Sequence, residues 1–476
     1  MDIQLLEYYI GKWLNSPQRK EIDSGRRYYE GFHDILDRQR QVIGRDGSLE
    51  TVTNLPNNKI IDNQYKKLVD QKTNYALGKP ITISTDNEKY TKELEKVFNK
   101  KFLRKLRVLG KNAIEGGIAW LHPYYGTDGE FKFKVFSAYE VLPFWKDDEH
   151  TELECAVRVY KQATFVNDKE IMKDVCEVYD QNGVTRYFLN GSKLTPIGNK
   201  PNFTIDDEPF NWEHIPIIPF KYNSDEIPLI RRIKRLQDSL NEVLSDFQNT
   251  MQEDPRNTIL VVENYDGADL ASFRHNLATY GAVKVRTIDG VKGGVSTLKI
   301  DVKGDNYKII TTMLRRSIIE NGSGFDAHEE RLDGDPNLAN ILSMYSDIDL
   351  DVNGMETEFQ SGFEELTWFL NKHFANKGIG NFEDERVEFI FNRDIYINNS
   401  DAISNCQASM GVLSRETIVS NHPWVTSVAK EMKRIEKEEQ EELDAYAMGV
   451  KSKKVDGSKV APRTLGKKAP GAEDKE

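Results

Sequence analysis

The chain has 476 residues, 38% of them hydrophobic and 30% charged, and a formal net charge of −12. This describes a large acidic protein with more than one core. It argues against a protein whose main task is gripping nucleic-acid phosphates, because that affinity comes from Lys and Arg displacing condensed counterions.

Met1 to Gly11 is amphipathic and carries Asp2 and Glu7, unlike a secretory signal. No apolar run reaches the roughly 18 residues of a membrane span. Three cysteines, Cys155, Cys176 and Cys406, form neither a disulfide framework nor a metal knuckle, so a reducing compartment is expected. The pattern is helical from Met1 to about Arg40, broken and polar over 44–58, and helical again from Ile60 to Leu77, with Gly78 and Pro80 as the stop. Ile81 to Ser84 reads as a strand and 87–116 as helical. After Gly116-Gly117 the chain turns β-rich: Phe131-Lys-Phe-Lys-Val alternates, as does the stretch around Glu154 to Tyr160. Asn182-Gly183 and Asn190-Gly191 signal hairpins, and Ile215 to Tyr222 closes an α+β region of about 220 residues.

A long helix follows, with Leu229, Ile233, Leu236, Leu240, Val243 or Leu244, Phe247 and Met251 at steps of three and four. Ser224 or Asp225 is expected to cap it, with Pro228 in the first turn and Pro255 at its end. A β-rich insert over 258–302 has strand-like runs at Ile259 to Glu263, Ala282 to Arg286 and Val295 to Ile300. A second helix from Asp305 is expected to carry Ile309, Ile310, Met313, Leu314 and Ile318 inward and to stop at Asn321-Gly322. Ser323 to Asp335 is acidic and aperiodic, with Gly322, Gly324 and Gly334 as expected hinges. From Leu338 to Phe374 the apolar residues recur at an average step of about 3.6, predicting one long helix, bent near Asn353-Gly354. Val387 to Ile395 reads as a strand, 401–448 as helical, and Lys451 to Glu476 as a disordered tail.

No catalytic constellation emerges. GxxxxGK[ST], GxGxxG after a strand, HExxH and GxSxG are all absent, and none of the eight histidines has a histidine or cysteine partner at i+3 or i+4. Asp333, Asp335 and Asn337 have the one-three-five spacing of a calcium loop, but Leu338 and Met344 occupy positions six and twelve. Asp347, Asp349 and Asp351 fall inside the long helix, where i+2 side chains point about 200° apart and cannot converge on one ion. The basic cluster Arg231, Arg232, Lys234 and Arg235 sits in the first turns of a helix, where the macrodipole disfavours cations. Either local carboxylates (Asp225, Glu226, Asp238, Glu242) offset it, or it meets a neighbouring chain or passing phosphates.

The order of parts resembles the portal proteins of tailed bacteriophages, of the SPP1 type. The stretches that carry the likeness are Tyr28-Tyr-Glu-Gly-Phe-His-Asp-Ile, Asn58-Lys-Ile-Ile-Asp-Asn, Asp70 to Pro80, His214-Ile-Pro-Ile-Ile-Pro-Phe, Arg232 to Asn241, Asp347 to Phe359, and Gly411 to Thr417 with Pro423. Together they span about residues 25 to 440. The acidic loop and the Lys-rich tail depart from the family pattern. The resemblance implies a multi-domain α+β portal fold: wing over 1–226, stem helices at 227–254 and 303–322, and a β-rich clip at 255–302. A tunnel loop would follow at 323–337, a long wing helix with its strand at 338–399, a crown at 400–450 and the tail at 451–476. It also implies a homo-dodecameric ring at one capsid vertex of the virion, assembled in the host cytoplasm, through which double-stranded DNA passes in packaging and ejection. The partners it implies are the terminase large subunit, a head-completion or adaptor protein, scaffolding protein and major capsid protein, with no membrane, cofactor, metal or catalytic residue.

Within that frame Ser323, Gly324, Phe325, Asp326, His328, Arg331 and Asp333 are expected to face DNA. Arg231, Arg232, Lys234, Arg235, Arg315 and Arg316 form a stem cluster toward DNA or a neighbour, and Lys284, Arg286 and Lys292 dock partners on the clip. The net charge then suits a conduit, since an acidic wall keeps a passing duplex from sticking. Two other readings differ in kind. One is a metal-dependent nucleic-acid-processing enzyme built on Asp333, Asp335, Asp347 and Asp349; the other is a helical scaffold or adaptor, against which the β-containing body argues.

Overall fold

Side chains that accept the first free backbone N–H groups set where the N-terminal helices begin. In the computed structural model Asp2 caps α1 (Ile3–Leu14) and Ser16 caps α2 (Pro17–Glu30), with Pro17 in its first turn. Asn63, Asn87 and Asn99 cap α3 (Gln64–Leu77), α4 (Glu88–Val97) and α5 (Lys100–Gly116). The structure describes residues 2–43, 47–53, 55–166, 169–205, 208–253, 259–263, 287–288, 290–292, 294–298, 304–326, 338–393, 399–420, 422–425 and 428–447. The helical stretch read over 1–40 is thus two helices and a short turn (Asp34–Asp37), and the one read over 87–116 restarts at Asn99. The polar break hides a short hairpin, β1 (Gln41–Ile43) with β2 (Leu49–Thr51), whose strands are too short to show a period.

The first of two compact units covers residues 1–395. In it β3 (Thr82–Ser84) precedes α4, and the chain after α5 supplies β4 (Ile118–Tyr125), β5 (Phe131–Ser137), β6 (Val141–Trp145), β7 (Leu153–Val166), β8 (Lys169–Asp180), β9 (Gly183–Asn190) and β10 (Lys193–Lys200). Two short strands, β11 (Phe203–Ile205) and β12 (Glu208–Phe210), pair with each other before β13 (Ile218–Lys221). Strands β10-β9-β8-β7-β6 make a five-stranded antiparallel sheet and β13-β4-β5 a three-stranded one. Both signalled hairpins are present, with Asp180 opposite Gly183 and Asn190 opposite Lys193. Leu6 and Ile10 of α1 pack on Val157, Cys176 and Leu189 of the larger sheet. Gly117 turns α5 into β4 at φ 82°, and any Cβ there would run into the Glu226 carbonyl.

The next helix is α6 (Leu229–Glu253). Neither Ser224 nor Asp225 caps it; Asn223 closes the preceding loop by bonding both the N–H and the carbonyl of Ile227, and the carbonyl of Pro228 accepts from Arg231 N. Its partner α7 (Gly304–Asn321) packs against it, with Phe247 and Tyr307 rings 4.6 Å apart. Between them β14 (Ile259–Glu263) pairs with β17 (Gly294–Leu298), and β15 (Thr287–Ile288) with β16 (Val291–Lys292). The strand expected at Ala282 to Arg286 lies outside the described residues. α7 departs from its expected inward stripe. Ile318 is buried and Leu314 half-buried, but Ile309, Ile310 and Met313 are 57%, 45% and 63% exposed. The apolar face of α7 is wider than α6 alone can cover.

The strongest helical pattern forms α8 (Leu338–Asn376), unbroken through Asn353-Gly354, with Ile348, Val352, Met355, Phe359, Phe363, Leu366, Leu370 and Phe374 all buried. It closes the main core against α3, α5 and β13. The strand read over 387–395 is shorter, β18 (Glu388–Ile390), and pairs with β3 so that Phe389 faces Ile83. The second unit holds α9 (Asn399–Ala408), α10 (Arg415–Ser420) and α11 (Val428–Ala447). There α10 packs on α11, Arg415 pairs with Glu439, and Met410, Val412 and Trp424 are exposed. The tail expected to be disordered lies outside the described residues. No helix among the described residues is long and apolar enough to cross a membrane.

Candidate functional site

The polar face of α6 builds the first part of the site. Gln237, Asn241, Ser245 and Asn249, each four residues after the last, are fully buried. They accept hydrogen bonds from the backbone N–H groups of Tyr65 (3.1 Å), Asp62 (3.0 Å), Ile60 (2.9 Å) and Asn58 (2.7 Å). Four helical residues advance about 6 Å and two extended residues about 6.6 Å, so a strap running antiparallel to α6 presents the N–H groups of Asn58, Ile60 and Asp62 to three successive rungs, and Tyr65 in the first turn of α3 meets the fourth. The Asn241 amide also donates to His33 Nδ1 (2.9 Å), and His33 Nε2 meets the Tyr28 carbonyl at 3.1 Å. Because Asn241 Oδ1 is already accepting from Asp62, its NH₂ must face the imidazole, which fixes His33 as the neutral Nε2–H tautomer. Burial holds the His33 pKa below its ordinary value.

The basic cluster at the start of α6 is largely offset within the chain. Arg231 forks onto Glu21, Arg232 meets Asp351 at 2.7 Å, and Lys234 lies between Asp34 (2.6 Å) and Asp238 (2.8 Å). On α7 Arg315 pairs with Asp62 and Arg316 with Glu320, each at 2.8 Å. Of the four nearby carboxylates weighed from sequence, only Asp238 serves the cluster; Glu226 takes His150 and Lys221, and Glu242 reaches Arg38 at 4.0 Å. Arg235 is exposed and meets no carboxylate among the described residues.

Asp351 is the hub where the elements meet. Its carboxylate accepts from Lys72 (2.6 Å), Arg232 and Tyr222, and Lys72 also donates to the Ser323 carbonyl at 2.9 Å. Burial opposes ionisation of Asp351, but Lys72, Tyr222 and Arg232 together hold its pKa below the usual carboxylate range. Burial pulls the Lys72 pKa down, with Asp351 opposing.

The same hub anchors the start of the loop after α7. Gln71 exchanges two hydrogen bonds with the Phe325 backbone, and the Phe325 ring stacks on Tyr345 at 4.5 Å, which in turn stacks on Tyr75 at 5.6 Å. Gly322 and Gly324 are not free hinges: both are buried, and a Cβ on either would run into Leu68. The left-handed residue is Ser323, at φ 48°. Asp326 is half-buried. His328, Arg331, Asp333, Asp335, Gly334, Lys284 and Arg286 lie outside the described residues, and Lys292 is placed only by its backbone pairing with Thr287.

Asp349 is bonded by Tyr75 (2.9 Å) and Arg393 (2.5 Å), so with Asp351 it is an ion-pair partner in the packing of α8. Among the described residues no cluster of His, Cys, Asp or Glu could hold a metal ion. Sequence reasoning missed Lys72 and Gln71, which no local pattern marks. It passed over the ladder too, although four uncharged polar residues at steps of four beside the apolar stripe of α6 were legible.

The comparisons with known proteins identify the family of the chain. The profile of the family described as "Phage portal protein, SPP1 Gp6-like" matches residues 15–445, and the chain belongs to that family. The portal protein of Bacillus phage SPP1 is 26% identical over 447 residues, covering 92% of this chain and 86% of that one. The portal protein of Clostridium phage phiCD119 is 27% identical over 460 residues, covering 94% and 96%. A chain of a solved gene transfer agent virion aligns at TM-score 0.39 and 11% identity, over 74% of this chain and 87% of its own length. The family is structural rather than enzymatic, so the enzyme reading built on Asp333, Asp335, Asp347 and Asp349 falls, and the chain functions as a phage portal protein, a virion component.

Proposed function

We propose that the chain assembles as a dodecameric ring at one capsid vertex and conducts double-stranded DNA during packaging and ejection. The observation that carries the ring is α7, whose exposed Ile309, Ile310 and Met313 form an apolar face that a lone subunit leaves in water and a neighbouring copy would cover. In this reading residues 1–226 and 338–399 form the wing, 227–254 and 303–322 the stem, 255–302 the clip and 400–450 the crown. The clip, with Lys284, Arg286 and Lys292, docks the terminase large subunit and later a head-completion protein. Scaffolding and major capsid protein meet the wing.

The loop over 323–337 then divides in two. Ser323, Gly324 and Phe325 form an anchor held by Gln71, Lys72 and Tyr345. The part that approaches DNA is the stretch carrying His328, Arg331 and Asp333. Of the six cations in the stem cluster, Arg235 is the one left for phosphate or a neighbour, because the other five are offset by carboxylates among the described residues. Electron-microscopic class averages of the purified protein test the proposal. Rings of twelve-fold or thirteen-fold symmetry are expected; a stable monomer that cuts DNA when given Mg²⁺ would sink it.

A further inference from the structure

A cavity of about 680 Å³ opens beside the end of β6 and α8, lined by Trp145, Glu149, Glu358, Glu364, Glu365 and Trp368 among others. Two other carboxylates at its wall are already paired, Glu152 with Lys146 and Glu213 with Lys372. Glu149, Glu358, Glu364 and Glu365 meet no cation among the described residues. Glu365 is the informative one. It accepts from no donor among the described residues, and burial alone pushes its pKa up to about 8. Half-buried and unpartnered among the described residues, it shares the recess with the carboxylates of Glu149, Glu358 and Glu364, and together they suit a cationic group.

The chain carries the complementary charge elsewhere. α5 buries Phe102, Leu106, Leu109 and Ala113 and turns Lys100, Lys101, Arg104 and Arg107 outward. None of these four meets a carboxylate among the described residues, and Arg107 donates only to the amide of Asn74. Like charges one turn apart on a helix repel by a few tenths of a kcal/mol per pair. The two patches do not meet within one subunit. Complementary patches at different places on the same chain define a head-to-tail contact, and head-to-tail contacts close rings.

We propose that adjacent copies of this chain lock wing to wing by setting the cationic face of α5 into the acidic recess of the next copy. This rests on the ring reading above, but the contact lies apart from the apolar face of α7. Rim charges of this kind govern association rate and salt sensitivity.

The test uses two full-length variants: K100E, K101E, R104E and R107E together on α5, and E149K, E358K and E364K together at the recess. Each alone presents like charge to like at every contact, and its ring population, read by native mass spectrometry at about 0.1 M salt, is expected to fall about tenfold. Mixed one to one, the two variants again present opposite charges at every contact, and even-numbered alternating rings are expected to return. That recovery separates a lost contact from a misfolded chain. Rings from either variant alone at wild-type yield, or a mixture that stays unassembled, overturn the contact while leaving the ring intact. A wild-type chain that is monomeric at every salt concentration overturns the ring and the contact together.

Discussion

Lys72 on α3 and Asp351 on α8 meet at 2.6 Å with the lysine side chain fully closed to water. Through the same two groups run Arg232 of α6 and the Ser323 carbonyl, so one ion pair joins three helices to the start of the loop.

Removing half of such a pair leaves a buried charge without a counterpart, at a cost of about 3–5 kcal/mol. Asp351→Ala is therefore expected to lower the urea midpoint severely, and Lys72→Met with Asp351→Leu far less. A single variant within 1 kcal/mol of wild type would show that Lys72 is neutral in the folded chain.

Two glycines should respond with opposite signs. Gly354 lies in the middle of α8 with open space at its Cβ, so Gly354→Ala is expected to stabilise by up to about 1 kcal/mol. Gly324→Ala pushes into buried Leu68 and is expected to destabilise by about 1–3 kcal/mol, with Leu68→Ala in the same chain relieving part of that. Thermal melts of the three variants decide it.

Buried histidines and a buried glutamate should pull the pH dependence of stability in opposite directions. Burial holds His33 low and pushes His122 and His373 down to about 4. As pH drops from about 6.5 toward 4 the unfolded chain takes up protons that the folded chain refuses, and this contribution, complete above about 6.5, is lost. Glu115 acts oppositely: burial raises it to about 7, so its contribution is complete below about 4.5 and is lost progressively as pH rises from there through about 7. Glu115→Gln is expected to remove the loss of stability as pH rises from about 4.5 to 7, and His373→Phe the loss as pH falls from about 6.5 to 4, in denaturation series across pH 4 to 9.

The ladder rungs should differ by what each leaves unpaired. Asn241→Leu strips partners from the Asp62 N–H and from His33, and is expected to cost about 1–3 kcal/mol or more. Ser245→Ala strips only the Ile60 N–H and sits at the lower end. Hydrogen exchange at those two amides reports each loss directly.

Arg235→Glu is expected to leave monomer stability within about 0.5 kcal/mol of wild type, since no partner is lost. Any change should appear in ring yield or DNA packaging; a large loss of folding stability would place Arg235 in a contact the isolated chain does not reveal.

The long-period features were legible in sequence because periodicity records burial. α8 follows its apolar stripe from Ile348 to Phe374, and α6 follows Leu229, Ile233 and Leu240. Illegible were contacts whose two ends lie far apart. Lys72 and Asp351 are 279 residues apart, Arg231 and Glu21 are 210, and neither residue of either pair looks unusual locally. The apolar residues of α7 misled for another reason: hydrophobicity states that a face will be covered, not whether the cover belongs to the same chain. Gly322 and Gly324 read as hinges because glycine permits motion, whereas here its missing Cβ admits Leu68.

The ladder on α6 has a mechanical consequence. Apolar surfaces slide past one another with little change in energy until a ridge is crossed, but four side-chain acceptors at equal intervals, each engaged by one backbone N–H, behave as a toothed rack. Shifting the strap by a fraction of a tooth breaks the bonds of Asn58, Ile60 and Asp62 together; only a full step of about 6 Å brings them back into register. A force along α6, whether from something seated on the β module or from strain in the body, therefore reaches the strap over 58–65 undiminished, and the helix and body move as one piece.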